Sequence, residues 1–306
     1  MNPGAHIGIT GGTGFVGRHL SALLVGAGYK VTILGRKALP EAGNPKLGYA
    51  QWDATKGIVD AAALGQLDAL VHLAGAGIAD KRWTAARKQE IYDSRILGTR
   101  FLVEQLRLHA PKCKQLVAAS AIGWYGEDRA GDPAFTEQAP AAKDFLGTTC
   151  QAWEAETLKA AASMRTTLLR FGIVLGKESG AYPKLVQPLR FGVAPILGSG
   201  KQIISWVHIA DLCRMIVFSL EHELQGVYNA VAPKPVSNRQ LMQTLQQVRG
   251  GFSIAVPVPA FALELLMGEM SIEVLKSCTA SARKIEDAGF KFSYADIVGA
   301  VQELSS

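Results

Sequence analysis

The 306-residue sequence contains no apolar run of the roughly 18 to 20 residues that a membrane-spanning helix needs. Its first residues also lack the basic segment, apolar core and small-residue cleavage site of a secretory signal. We therefore expect no membrane partner, and we expect a cytoplasmic location.

Cysteine pairs and dense basic runs are missing as well. The four cysteines, Cys113, Cys150, Cys213 and Cys278, are widely spaced and form no Cys-x-x-Cys motif. Such spacing indicates neither a disulfide framework nor a zinc site, so we predict no bound metal. The formal net charge is +6, but the basic residues form no run or stripe interleaved with aromatic residues. We therefore expect no nucleic-acid partner.

The sequence does contain enough apolar material to build a core. Hydrophobic residues make up 48% of the chain and charged residues 19%, which is typical of a globular protein and argues against a disordered one. The length fits one large domain or two.

The most informative stretch is glycine-rich and lies between an apolar run, residues 7–10, and an amphipathic segment that continues through Leu24. This pattern predicts a strand, a tight turn and a helix. The three spaced glycines allow unusual dihedral angles, close approach of a pyrophosphate and close packing of helix on strand, while the helix N-terminus offers free N–H groups. The spacing is G-x-x-G-x-x-G, and the alternative is a plain Gly-rich turn. We predict a dinucleotide site formed by Gly11, Thr13, Gly14, Phe15, Val16 and Gly17.

The second predicted strand, residues 30–35, ends in Arg36 and Lys37, about twenty residues beyond the glycines. An acidic residue at this position binds the ribose 2′-hydroxyl of NAD, whereas an arginine accommodates the 2′-phosphate of NADP. Because no acid is present, the sequence favours NADP(H), with Arg36 and Lys37 as its contacts. The alternative is two exposed basic residues that follow a strand.

Three further strands bring candidate residues to the same sheet edge. A strand over residues 47–52 ends at Asp53, which we place near the adenine amino group. The strand over residues 69–74 contains His72, which we interpret as a hydrogen-bonded core histidine, and the strand over 115–119 delivers Ser120 to its carboxyl end. Ligands of open parallel sheets bind at that edge. The small residues after the 69–74 strand allow a cofactor to lie against the backbone, which adds to the predicted cofactor contacts Leu73, Ala74 and Gly75.

The predicted fold class is α/β, a Rossmann doubly wound parallel sheet with a smaller mixed α/β C-terminal substrate domain. Strict alternation of strands and helices ends near Gly172. We therefore assign residues 1–171 to the NADP-binding domain and residues 172–306 to the substrate domain, with a strand within 204–230 returning to the main sheet.

Short motifs spread over nearly the whole chain carry a family resemblance: Gly11 to Gly17, His72-Leu73-Ala74-Gly75, Ser120 with Tyr125-Gly126, Arg170 with Gly176, and Val207-His208 with Asp211. Together they resemble the extended short-chain dehydrogenase/reductase superfamily, in its branch of sugar-nucleotide epimerases and dehydratases. A narrower set is similar to the YfcH-like "epimerase family protein" subgroup: Ser94-Arg95, Ser120 to Gly126, Cys150-x-x-Trp153-Glu154, and Gln202-x-x-Ser205-Trp206-x-His208.

The resemblance implies a Rossmann domain that binds NADP, a small C-terminal substrate domain and a small-molecule substrate. The reactions of the subgroup are mostly unassigned. Homodimers are common in the superfamily, so the resemblance also suggests a homodimer through two long helices, here around residues 84–109 and 146–162.

The sequence departs from the superfamily at the catalytic pair. The family carries Tyr-x-x-x-Lys on the helix after the serine strand, with the tyrosine as general acid/base, and the matching residues here are Cys150 and Glu154. Residues four apart share one helix face. An ionised Glu154 would raise the pKa of the Cys150 thiol above about 8.5, so Cys150 is a poor copy of a tyrosinate base. Either Cys150 acts as a neutral donor or Glu154 carries the proton.

Other candidate residues follow from the same comparison. Arg95 replaces the family's asparagine, and we expect it beside the cofactor, paired with Glu154 or a substrate anion; the alternative is an ordinary salt bridge. Ser120 matches the catalytic serine if one residue is inserted before Tyr125, and otherwise Ala121 takes that position. We choose Ser120 because only it has a hydroxyl. The predicted substrate contacts are Tyr125, Trp206 and His208.

The sequence leaves two main functions open and favours a third one less. The first is an NADP-dependent oxidoreductase that acts on a small carbonyl, alcohol or sugar-nucleotide-like compound, in which Ser120 polarises the oxygen and Cys150 or Glu154 moves the proton. The second is a binding module that uses NADP occupancy as a signal. A sugar epimerase of the ordinary kind is third, because it needs a tyrosinate at position 150.

Overall fold

A computed structural model describes residues 1–37, 43–129 and 131–306. The first part of the chain alternates strands and helices, in the order β1 His6–Thr10, α1 Phe15–Gly26, β2 Lys30–Gly35, β3 Leu47–Asp53, β4 Ile58–Val59, α2 Ala61–Leu64, β5 Ala69–His72, α3 Ala85–His109, β6 Gln115–Ala121, α4 Phe145–Leu158 and β7 Arg165–Phe171. A 3-10 turn, Ile122–Trp124, follows β6.

The rest of the chain is more mixed. Its elements are β8 Ile173–Leu175, α5 Tyr182–Leu189, β9 Val193–Leu197, β10 Ile203–Ile204, β11 Trp206–His208, α6 Ile209–Glu221, β12 Gly226–Ala230, β13 Val236–Ser237, α7 Asn238–Arg249, β14 Ile254–Val258, α8 Ala260–Met267, α9 Ser271–Leu275, α10 Arg283–Asp287 and α11 Ile297–Ser305. Three two-stranded sheets pair β8 with β11, β9 with β14, and β10 with β13.

The main sheet has eight strands in the order β12-β7-β6-β5-β1-β2-β3-β4. Every neighbouring pair is parallel except β3 with β4. The strand β12 comes from the C-terminal part of the chain and pairs with β7 in parallel. Central strands such as β5 and β6 are buried along almost their whole length, as expected when helices cover both faces of a parallel sheet.

Alternating side chains of the strands pack into a hydrophobic core on each face of this sheet. On one face, Ile9 and Val71 pack with Leu20 of α1 and Leu212 of α6. On the other face, apolar strand residues such as Leu70 pack against α3. The sequence-based prediction of a doubly wound, Rossmann-like α/β fold is therefore confirmed.

A separate core lies within the C-terminal part and joins α5, β9, α7 and α11. The domain boundary between residues 171 and 172 remains a prediction. The strand β12 follows this boundary in the chain but pairs within the main sheet, whereas the C-terminal core is separate from that sheet. Among the residues that the structure describes, no helix is both long and apolar enough to cross a membrane.

Candidate cofactor and proton-transfer site

The glycine-rich loop connects β1 to α1, and its glycines are required by close contacts. Gly11 has a φ of +72°, and a Cβ atom there would lie 2.8 Å from the backbone carbon of Leu73. A Cβ atom at Gly17 would lie 2.5 Å from the Cα of Gly12 and would also collide with the carbonyl oxygen of Gly11. Side chains at either position would therefore push β1, β5 and α1 apart.

The loop leaves the start of α1 open to a ligand. Gly14 is the N-cap residue, it provides no side-chain hydrogen bond, and the first turn contains no acidic residue. Thr13 and Gly14 are exposed, while Phe15 and Val16 are partly buried. The first N–H groups of a helix lack partners within the helix, so this geometry fits the pyrophosphate of a dinucleotide.

The candidate adenosine contacts lie at the carboxyl ends of β2 and β3. Arg36 and Lys37 are exposed just beyond β2. Asp53 ends β3, and its Oδ1 accepts hydrogen bonds from the hydroxyl of Thr55 at 2.6 Å and from its backbone N–H at 3.1 Å. The Thr55 hydroxyl is the main cause that lowers the pKa of Asp53. The ribose and adenine roles of these residues remain predictions.

Arg95 lies beside Gly75, in the backbone segment predicted to bind the cofactor, but it does not pair with Glu154. Its Nη1 donates to the carbonyl oxygens of Ala76 at 2.9 Å and Ile91 at 3.2 Å. A Cβ atom added to Gly75 would lie 3.4 Å from the Cζ of Arg95, so the two residues are in contact. Of the two partners predicted for Arg95, Glu154 is wrong, because both of its carboxylate oxygens bind Arg170; a substrate anion remains a prediction.

His72 is a core residue, as predicted. It is fully buried, and its two ring nitrogens form hydrogen bonds with the hydroxyls of Thr10 at 2.6 Å and Thr99 at 2.9 Å. Burial, with a smaller contribution from the positive charge of Arg95, lowers the pKa of His72 to about 4. The imidazole is therefore neutral and holds β1, β5 and α3 together.

Ser120 and Glu154 meet through a buried hydrogen bond at the carboxyl end of β6. The Oγ of Ser120 donates to Oε1 of Glu154 at 2.6 Å. Arg170 on the neighbouring strand β7 donates to both carboxylate oxygens, from Nε and from Nη2, each at 2.8 Å. Ser120 and Arg170 are register partners in the sheet, and all three residues are 3% exposed or less. Such a bidentate charged pair is strong and geometrically fixed.

Tyr125 extends this network toward β12. Its hydroxyl accepts from Nη1 of Arg170 at 2.9 Å and donates to Oδ1 of Asn229 at 2.7 Å. Asn229 is in turn the register partner of Arg170. The Arg170 guanidinium also lies 3.8 Å from the ring centroid of Trp124. Burial raises the pKa of Tyr125 to about 12, against the opposing effect of Arg170, so its hydroxyl is neutral.

Cys150 lies one helical turn before Glu154 and is also buried. Its thiol donates a weak hydrogen bond to the carbonyl oxygen of Ala121, with a sulfur-to-oxygen distance of 3.8 Å. Burial first, and then the charge of Glu154, raises the pKa of Cys150 to about 12. The predicted direction of the shift is confirmed, although burial is the larger cause.

We expect all four cysteines to react slowly with thiol reagents in the folded protein. Burial raises the pKa of each thiol to about 12 from 9.0, and the thiolate is the reactive species. The thiols of the unfolded chain lose their protons at a lower pH than those of the folded chain. The contribution of the four buried thiols to the free energy of unfolding is therefore present below about pH 9 and is lost as the pH rises above it. The rate at which the folded protein reacts with a thiol-reactive dye between pH 7 and 9 tests the expected slow reaction, with unfolded protein as the control. A fast-reacting thiol that disappears in Cys150→Ser would contradict it.

The sequence reasoning missed the role of Arg170. The motif comparison includes Arg170 without a role, yet it is a charged residue that directly follows Leu168 and Leu169 and precedes Phe171. A buried cation needs a partner, and that signal pointed to a carboxylate nearby. Asn229, a buried amide in β12, was missed in the same way.

Trp206 and His208, which the sequence predicts as substrate contacts, are buried and hydrogen-bonded within the protein. Trp206 is fully buried in the C-terminal core, and its indole N–H donates to the carbonyl oxygen of Lys234 at 3.0 Å. His208 is also buried; its Nδ1 accepts from the backbone N–H of Ala210, which caps α6, and its Nε2 lies 3.0 Å from Glu303. The polar side-chain atoms of both residues already have partners within the protein, as does the hydroxyl of Tyr125. We therefore leave them out of the proposed site, whereas the Oγ of Ser120 retains lone pairs for a ligand.

Comparisons with known proteins agree with this geometry. Residues 7–230 match the family described as "NAD dependent epimerase/dehydratase family", and residues 258–304 match a domain of unknown function, DUF1731. The epimerase family protein YfhF of Bacillus subtilis is 37% identical over 302 residues, which cover 98% of this chain and 97% of YfhF. An epimerase family protein SDR39U1 homolog of Arabidopsis thaliana is 33% identical, over 97% of this chain and 86% of its own length.

A solved structure gives the same result. The crystal structure of human epimerase family protein SDR39U1, isoform 2, with NADPH has a TM-score of 0.86 and 29% identity, and the match covers 98% of this chain and 99% of that one. The resemblance seen in the sequence motifs is thereby confirmed. This chain belongs to the NAD dependent epimerase/dehydratase family of extended short-chain dehydrogenases/reductases, close to the epimerase family proteins.

Proposed function

We propose that this protein is an NADPH-dependent oxidoreductase that acts on a small carbonyl, alcohol or sugar-nucleotide-like compound. The open glycine loop supports dinucleotide binding, and the human relative was crystallised with NADPH. Arg36 and Lys37 occupy the position that selects for the 2′-phosphate. The observation that carries the catalytic proposal is the hydrogen bond from Ser120 to Glu154 at the carboxyl edge of the sheet.

This hydrogen bond defines how the chain would move a proton. The bound dinucleotide supplies hydride transfer at its nicotinamide ring. The Oγ of Ser120 donates its own hydrogen to Glu154, so its lone pairs are available to a substrate hydroxyl. Oxidation of an alcohol would move the substrate proton to Ser120 while the serine proton moves to Oε1 of Glu154, and reduction of a carbonyl would use the reverse path.

Arg170 positions the carboxylate of this path. It donates two hydrogen bonds to Glu154 and so fixes the carboxylate beside the hydroxyl of Ser120. Cys150, with its raised pKa, remains a neutral thiol beside this path and does not act as the base.

A binding module without catalysis is the second candidate, and one observation favours it. Both carboxylate oxygens of Glu154 already accept hydrogen bonds from Arg170, and Glu154 is 3% exposed. A closed network of this kind can serve stability alone. In that case the cofactor would bind while the proton path stays unused.

The decisive experiment compares turnover with cofactor binding in Glu154→Gln. NADPH absorbance is followed with a panel of aldehydes, ketones and sugar nucleotides, and NADPH affinity is measured by fluorescence. We expect turnover to fall by about 100-fold or more, which is the usual contribution of a positioned proton carrier. The Kd for NADPH should stay within about twofold, because the close contacts of Gly11 and Gly17 and the hydrogen bonds of Glu154 involve different residues.

Glu156→Gln is the matched control. Glu156 lies on the same helix, but its carboxylate faces Arg100 and Lys159 at 2.7 Å each. This variant should keep full turnover. If wild-type protein binds NADPH tightly and oxidises it with no compound of the panel, the binding module is favoured; if Glu154→Gln turns over as fast as wild type, the proposed proton path is wrong.

A further inference from the structure

The most exposed apolar side chains of the described residues are concentrated in the C-terminal part. Every large apolar residue above 70% exposure lies there, and Phe252 at 83% and Phe191 at 79% are among the most exposed. Soluble surfaces rarely gather exposed apolar groups in one place without a binding role. Three of the five such residues, Phe261, Leu265 and Leu266, lie on α8, and the other two, Phe191 and Phe252, lie in loops that we consider as a candidate contact surface.

The pairing of β9 with β14 brings the two phenylalanines together. Ile254 is the register partner of Val193, and its backbone N–H donates to the carbonyl oxygen of Gly192 at 2.9 Å. Phe191 and Phe252 each lie two residues before this pair and therefore at the same end of the two strands. We call the group Phe191, Val193, Phe252, Ile254 and Val256 the apolar ridge.

The ridge is not an unfinished core. Ala194 and Ile196, which alternate with its residues along β9, are buried at 0% and 2% exposure and pack into the C-terminal core. Side chains of a strand point alternately to opposite faces. One face of β9 is therefore buried in the C-terminal core and Val193 lies on its outer face, whereas β14 is exposed over residues 254–257.

A cationic cavity lies next to the ridge. It has a volume of about 440 Å³, and Lys177, Arg190 and Arg249 line it. Within the described parts of the chain, none of these cations has a carboxylate within 4.0 Å. Arg190 directly precedes Phe191, and Arg249 lies three residues before Phe252. Ser306 also lines the cavity, but even a carboxylate there leaves the site positive.

We propose that the apolar ridge and the cationic cavity together dock this protein onto the surface of an anionic phospholipid bilayer. Phe191 and Phe252 would enter the headgroup region, and the three cations would contact lipid phosphates. Aromatic groups beside cations are the usual chemistry of peripheral membrane contacts, because the two contributions add. The net charge of +6 favours the same kind of surface.

Charge argues against a second copy of this chain on the ridge. A two-fold contact brings the same patch of both subunits together. It would therefore place two sets of Lys177, Arg190 and Arg249 near each other, and facing like charges disfavour association. The sequence-based prediction of no membrane partner depends on the absence of membrane-spanning and signal segments, and that absence does not bear on a peripheral contact.

Vesicle sedimentation with the full chain tests the proposal without NADPH or substrate, so its outcome is independent of the proposed catalysis. We expect binding to vesicles of phosphatidylcholine with phosphatidylglycerol to be at least about tenfold tighter than to phosphatidylcholine alone, and to weaken as salt is raised. Arg190→Ala with Arg249→Ala should weaken it by about tenfold or more, at roughly fivefold for each cation. Phe191→Ser with Phe252→Ser should weaken it comparably.

Matched controls lie on the other half of the molecule. Leu108→Ser removes an apolar side chain that is 62% exposed on α3, and Lys112→Ala removes an exposed cation; neither should change vesicle binding. Three results would overturn the proposal: equal or absent binding to both vesicle types, a dimer in light scattering that dissociates in the double phenylalanine variant, or soluble glycerol phosphate bound as tightly as the vesicles. The last two would assign the surface to a second copy or to a free phosphate compound.

Discussion

Replacing Arg170 with leucine is expected to lower the free energy of unfolding by about 3 to 5 kcal/mol, the range for breaking a buried ion pair. The substitution removes two hydrogen bonds to Glu154 and one to the hydroxyl of Tyr125. The carboxylate of Glu154, which is 3% exposed, would then be buried without a counter-charge. Urea unfolding of wild type and variant measures the loss.

Two controls separate this effect from the loss of any arginine. Arg165→Ala breaks an ion pair with Glu223 at 2.8 Å in which both side chains are about half exposed, and it should cost less than about 1 kcal/mol. The double variant Arg170→Leu with Glu154→Leu should recover much of the stability, because no unpaired charge remains. If Arg170→Leu costs no more than Arg165→Ala, the buried pair does not stabilise the fold as we infer.

The first half of the fold could be predicted because its signals are local. The order of apolar run, glycine turn and amphipathic segment lies within residues 7–24, and each step follows from dihedral freedom and side-chain periodicity. His72 is a similar case, because a histidine inside an apolar strand requires partners whatever the rest of the fold is. Its bonds to Thr10 and Thr99 satisfy that requirement.

The partner of Glu154 could not be predicted in this way. Arg95 on α3 and Arg170 on β7 were both in the sequence, and only the packing of α4 over the sheet decides which one meets the carboxylate. The register of β6 with β7 and of β7 with β12 places Ser120, Arg170 and Asn229 in one row. Register is set by pairing between distant segments, so a motif comparison could offer Glu154 as one possible partner of Arg95 but could not identify Arg170 as the residue that binds it.

The same limit applies to the C-terminal surface. Trp206 was interpreted as a substrate contact because it belongs to a family motif, but its strand β11 pairs with β8 and carries the indole into the C-terminal core. Phe191 and Phe252 gave no signal in the sequence, since only the parallel pairing of β9 with β14 makes them neighbours. Exposure is a property of the assembled fold.

The residues proposed for cofactor binding and those proposed for proton transfer form two separate groups in this molecule. The loop from Gly11 to Gly17 depends on backbone contacts among β1, β5 and α1, whereas the Ser120–Glu154–Arg170 network joins α4 to the other side of the sheet. Substitutions in one group should therefore leave the other intact. This separation allows each proposed role to be tested in a protein that retains the other.

Gly17→Ala should lower the affinity for NADPH by at least about tenfold, or about 1.4 kcal/mol. Its Cβ atom would lie 2.5 Å from the Cα of Gly12, and backbone atoms cannot move aside as a flexible side chain can, so α1 must shift and its N–H groups leave the pyrophosphate. Gly26→Ala is the control on the same helix, because a Cβ atom there meets nothing within 4 Å, and it should leave the affinity unchanged and stability equal or slightly higher. Fluorescence titration with NADPH and thermal unfolding measure both variants. Equal affinities for the two would mean that the close packing of α1 on this loop does not shape the cofactor site.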